Sequence, residues 1–117
     1  MKFSGKFKGC VRDTTVNSKG VIETEYKATM KIKNVNCSNK TAFLIEICDK
    51  DGEIYNLAFL EDLEGSEPIL RSVSETGKGI TSTYWKDSHL IHQTSTATVG
   101  CDGQTTWKVK YYNMKLC

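Results

Sequence analysis

Two histidines, His89 and His92, stand three residues apart in the stretch TYWKDSHLIHQTST, just behind Tyr84 and Trp85, and they are the only two in the chain. A His-x-x-His pair beside aromatic rings could hold a metal or share acid–base work, provided both rings reach one point. On a helix, side chains three apart share a face, whereas on a strand they point to opposite sides of the sheet. The Thr, Tyr, Trp, Leu and Ile around them favour strand. The pair is therefore expected to be split by the sheet, with at most one histidine facing the interior.

Other chemistry is sparse. The five cysteines, Cys10, Cys37, Cys48, Cys101 and Cys117, form no Cys-x-x-Cys pair and no zinc-ligand spacing. There is no nucleophile elbow, phosphate loop, dinucleotide fingerprint or His-Glu-x-x-His motif. An acid–base isomerase or dehydratase built from His92, Tyr26 and a buried carboxylate is a third-ranked reading that no feature selects. The expectation leans away from an enzyme, and no metal or cofactor is expected. The odd cysteine count favours a reducing, cytoplasmic setting, with secretion compatible only if a signal segment has been removed. Should the first strand close against the last, Cys10 and Cys101 are the pair expected nearest to disulfide distance.

The length of 117 residues predicts one domain, spanning 1–117, with a single modest core. The formal charge is +2, from 16 basic and 14 acidic residues. The early cluster of Lys2, Lys6, Lys8, Arg12 and Lys19 reads as a solvated strand face, so nucleic acid is not the expected partner. The longest apolar run is AFLI, far short of a membrane-spanning helix, and no membrane partner is expected.

Period-two alternation recurs in segment after segment, bounded by turn residues, which predicts an all-β chain. In KFSGKFKGCV the odd positions Phe3, Gly5, Phe7, Gly9 and Val11 form one face and the lysines the other. In VIETEYKATMKIKNV the inner face is Ile22, Thr24, Tyr26, Ala28, Met30 and Ile32. Hydrophobic matching of TAFLIEIC against EIYNLAFL favours a three-residue Lys50-Asp51-Gly52 loop, which sets Ile47 opposite Tyr55 and leaves Leu44, Ala58 and Leu60 on an apolar outer strip. That strip is expected to meet a capping element or another subunit. About eight strands with short links predict an antiparallel meander closed into a small up-and-down barrel, with a two-sheet sandwich as the alternative. The comparison with lipocalin-like and fatty-acid-binding-like proteins is one of architecture alone, since no motif of either is present.

In the last hairpin, a two-residue Asp102-Gly103 turn or a three-residue Cys101-Asp102-Gly103 loop both suggest Trp107, Val109 and Tyr111 inside, with Lys108 and Lys110 outside. The two differ over the histidines, and the first, with His92 inside, is preferred. The expected pocket is then lined by Tyr26, Trp85, His92, Trp107 and Tyr111, with Phe3 and Phe7 closing it. These residues imply a non-enzymatic protein holding a small amphipathic or aromatic ligand. The alternative is a β-rich interaction module or inhibitor with a filled core, using Leu44, Ala58 and Leu60 to meet its own copy or a protein target.

Overall fold

The alternation becomes eight antiparallel strands in the computed structural model, which describes residues 2–36, 39–73 and 79–117. They are β1 (Gly5–Asn17), β2 (Gly20–Asn34), β3 (Ala42–Asp49), β4 (Gly52–Glu61), β5 (Ile69–Val73), β6 (Gly79–Lys86), β7 (His89–Val99) and β8 (Thr105–Leu116). Each strand pairs with the next, and β1 pairs with β8, so the sheet closes into an up-and-down barrel. The continuous β1–β8 ladder, from Phe7 opposite Leu116 to Val16 opposite Trp107, rules out the two-sheet alternative.

Turn chemistry sets the registers. Asp87 and Ser88 both have positive φ, 50° and 66°, and form a two-residue β6–β7 connection that suits the twist of the flanking strands. The β3–β4 connection departs from expectation. Asp49 pairs with Gly52 across a two-residue Lys50-Asp51 loop, and the Asp49 carboxylate accepts a 2.8 Å hydrogen bond from the Asp51 backbone N–H. Ile47 therefore faces Ile54, and Phe43 faces Ala58. The one-residue shift turns Ala58 fully into the core, and Leu60 packs partly buried against it. Of the expected outer strip only Leu44 stays outside, opposite the exposed Leu57. Hydrophobic matching failed there because Asp49, a charged residue, belongs on the inner face.

The interior divides along the barrel axis. At the end holding the β6–β7 turn, Phe3, Phe7, Phe43, Leu70, Leu90 and Met114 pack into a buried hydrophobic core. Phe3 meets Phe43 edge-on at 6.0 Å, and Phe7 meets Trp85 at 5.9 Å. We call this the closed end, and the end holding the β1–β2, β3–β4 and β7–β8 turns the open end. Strand β1 passes so close to β8 that a β-carbon at Gly9 would overlap the backbone carbonyl of Asn113. Backbone cannot yield there as a flexible side chain would. Gly9→Ala is expected to destabilise the barrel by about 3 kcal/mol or more, read as a shift in the urea midpoint.

Candidate functional site

The open end is built from inward-facing polar residues. Asp13 continues the inner face of β1 beyond Phe7 and Val11, and Asp49 continues that of β3 beyond Ile45 and Ile47. Both carboxylates are buried, Asp13 at 4% residue exposure and Asp49 with a side chain at 0%. Burying charge without a partner is costly, so each has drawn in a lysine and a tyrosine. Lys110 Nζ lies 3.4 Å from Asp49 and 2.8 Å from Asp51, while Tyr112 donates to Asp49 at 2.9 Å. Lys108 lies 3.6 Å from Asp13, and Tyr26 donates to the same carboxylate at 3.3 Å.

This cluster overturns the expected orientation of the last strand. The β7–β8 ladder sets Ala97 opposite Trp107 and His92 opposite Tyr112, as the three-residue loop requires. The faces are the reverse of those expected: Lys108, Lys110, Tyr112 and Met114 turn inward, and Trp107, Val109 and Tyr111 turn outward. Trp107 is 53% exposed and faces away from the lumen, and Tyr111 lies outside beneath the Arg12 guanidinium. On the outer wall Val21, Val16, Trp107 and Ala97 form a cross-strand row spanning β2, β1, β8 and β7. The lysines were expected in water, but Asp49 holds Lys110 inside, and Asp13 draws the half-exposed Lys108 toward the lumen.

The remaining candidates are inside but not together. Tyr26 is at the open end, and Trp85 is packed on Phe7 toward the closed end. His92 is fully buried between them, with Nδ1 2.7 Å from Thr83 Oγ1 and its ring 5.3 Å from that of Tyr112. His89 is on the opposite face, as alternation requires, 2.6 Å from Asn113 Oδ1. Among the described residues no cluster of His, Cys, Asp and Glu could hold a metal. Cys10 is opposite Asn113, midway along β1, whereas Cys101 is in the loop beyond Val99, so the expected disulfide does not form and both thiols are free. The strand runs on past Cys10 to Asn17, which carries Cys10 away from that loop. Cys37 lies outside the described residues.

A cavity of about 680 Å³ opens above the cluster, between β3–β4 and β6–β8. Asn56, Thr81, Thr94, Lys108, Lys110 and Tyr112 give it hydrogen-bonding groups, and Ile47, Ile54, Phe59 and Ile80 interleave apolar surface among them. It is accessible because β5 is short: it pairs with β4 only at Phe59–Glu61, so the ladder between these strands stops before Ala58. Sequence reasoning passed over Asp13, Asp49, Lys108 and Lys110. The readable signal was parity, because each aspartate shares its strand face with core residues.

Burial and the nearby Asp49 and Asp13 charges push the Tyr26 hydroxyl up to about 12, although Lys110 opposes them. Burial and the hydrogen bond to Asp49 raise Tyr112 as well. Burial would lower Lys110, but the Asp51 hydrogen bond and the Asp49 charge outweigh it, so its pKa is raised. Burial holds His92 down to about 3. These four groups keep fixed protonation states near neutral pH, unlike a general acid or base poised to exchange a proton. Among the described residues, buried Asp13 Oδ1, Trp85 Nε1 and His92 Nε2 have no hydrogen-bond partner.

Comparison with known proteins gave no match: no protein-family model, curated protein or solved structure is significantly similar to the chain.

Two outcomes follow from the cluster and from the buried histidine. Lys110→Met leaves Asp49 buried and unpaired and is expected to cost about 3–5 kcal/mol in urea unfolding. Lys108→Met should cost less, because the Lys108 side chain is 45% exposed. The folded-state pKa of His92, about 3, lies below its ordinary value of 6.5, so below pH 6.5 the unfolded chain binds the extra proton. Stability should fall as pH drops from 6.5 toward 3, by at most ~1.4 kcal/mol per pH unit from this group. His92→Gln should flatten that part of the profile; an unchanged slope would assign the acid sensitivity elsewhere.

Proposed function

We propose that the protein is a non-enzymatic binding protein that takes a small amphipathic ligand, with an alkyl or aromatic body, into the cavity at the open end. The observation that carries this reading is the cavity of about 680 Å³ lined by both polar and apolar side chains, a size and composition typical of small-molecule sites. The ligand's polar head meets Lys108 and the hydroxyls of Thr81 and Thr94. Its body lies along Ile47, Ile54 and Ile80. Lys108 is the better-placed ammonium for the head, since it is half-exposed and only loosely held by Asp13. Lys110 is already engaged by Asp49 and Asp51.

A second reading, contact with another protein chain, draws on the exposed Val21–Val16–Trp107–Ala97 row rather than on Leu44, Ala58 and Leu60. A half-exposed tryptophan on the outer wall of a barrel is the type of side chain that anchors interfaces.

One experiment separates the two. A panel of amphipathic and aromatic molecules is titrated into ¹⁵N-labelled protein, following the backbone amides of Thr81, Thr94 and Lys108. In the binding reading these amides shift saturably, and Thr94→Trp, which fills the cavity from its wall, abolishes the response while the barrel stays folded. Silence across the panel, together with a dimer by light scattering that Trp107→Ser dissociates, would support the second reading instead.

A further inference from the structure

A larger concavity, about 870 Å³, lies on the outside of the barrel where β1, β2, β3 and β8 meet, and it shares no lining residue with the open-end cavity. Gly9 lies in its floor, at the close approach of β1 to β8. Cys10 and Cys48 face it from either side, and its accessible surface is mostly carbon. Lys8, Lys27 and Lys115 border it, as does His89 from the start of β7.

The charges around this groove are unbalanced. Lys8 is directly opposite Lys115 across the β1–β8 ladder, and Lys6 is directly opposite Lys31 across β1–β2. Like charges in directly opposed positions destabilise a sheet. Among the described residues, Lys6, Lys8, Lys27 and Lys115 have no carboxylate within ion-pair distance. Asp49, the single acidic residue bordering the groove, has its side chain buried and bound to Lys110 and Tyr112 inside the barrel. The free protein thus holds a carbon-lined groove under an uncompensated ring of ammonium groups.

We propose that this groove binds an amphipathic anion, a carboxylate or sulfate on an alkyl or aryl body, with the head between Lys8, Lys27 and Lys115 and the body over Gly9 between Cys10 and Cys48. A bare inorganic anion would leave the carbon floor wet. A nucleic-acid strand would find one ring among these lining residues, the His89 imidazole, which is already hydrogen-bonded to Asn113. The volume is that of a site for one small molecule. This site stands apart from the open-end pocket, so Thr94→Trp, which plugs that pocket, leaves it intact.

The free thiols supply the readout. The rate of iodoacetamide modification at Cys10, Cys48 and Cys101 is followed by mass spectrometry of the intact full chain and its peptides, using submicellar decanoate as the probe in the Thr94→Trp background. Decanoate is expected to protect Cys10 and Cys48 but not Cys101, and decanol, lacking the charge, to do so at least about tenfold more weakly by concentration. Lys8→Gln with Lys115→Gln should remove the protection by decanoate. The same double variant should melt no lower than its parent, since it removes a repulsive pair, so loss of binding cannot be put down to unfolding. Equal protection by decanol, protection that extends to Cys101, or better protection by a short single-stranded oligonucleotide would each overturn the proposal.

Discussion

Burial of the Asp49 carboxylate is the constraint from which much of the architecture follows. A carboxylate with no solvent contact must be met by a cation and by hydrogen-bond donors, and here Lys110, Tyr112 and the Asp51 backbone N–H supply them. Meeting that demand fixes which face of β8 is inside, and hence places Trp107 and Tyr111 outside. It also fixes the β3–β4 register, because Asp49 must be the last inward residue of its strand. Asp13 repeats the arrangement across the lumen with Lys108 and Tyr26. A barrel of this size could have been filled with aliphatic side chains along its whole length, but at one end it carries paired charges beside open space.

The two halves of the lumen therefore respond differently to their surroundings. At the closed end stability comes from apolar area removed from water, which changes little with pH or salt. At the open end it comes from charge pairs, some with partners in solvent, where ionic strength matters. His92 is at the junction, in contact with Thr83 and Tyr112, and must remain neutral to stay there. Polar groups concentrated in one half leave that half able to accept a guest without unpacking the other.

Much of the fold was legible in the sequence. The alternation of β1 and β2, the Asp87-Ser88 turn and the opposite orientations of His89 and His92 all follow from period two and turn chemistry. What failed was the rule that apolar residues go in and charges go out, applied strand by strand. In WKVKYYNMK the rule selects Trp107, Val109 and Tyr111 for the inside, whereas Tyr112 and Met114 occupy it. The information that reverses the choice lies on other strands, in Asp13 and Asp49, which share parity with Phe7 and Ile47. A single-strand pattern cannot register that two distant carboxylates need two lysines. The β3–β4 register failed for the same reason, since matching Ile to Tyr ignored the inward aspartate at the strand end. Of the expected pocket residues Tyr26, Trp85 and His92 are inside, but the cavity itself is bounded by threonines, lysines and isoleucines that no motif marks.

The closure between β1 and β8 also bears on how the chain reaches its native state. Seven of the eight ladders join strands adjacent in sequence and form by local hairpin growth. The eighth, from Phe7–Leu116 to Val16–Trp107, must bring together the two ends of the chain. It carries the full entropic cost of closing a loop of roughly a hundred residues, and by contact-order reasoning it is the slow step of assembly. Until it forms, β1 and β8 both present bare edges to whatever chain is nearby, and Gly9 sits on that seam. The glycine that permits the native approach of the two strands thus also governs how long the unfinished sheet stays open to the wrong partner.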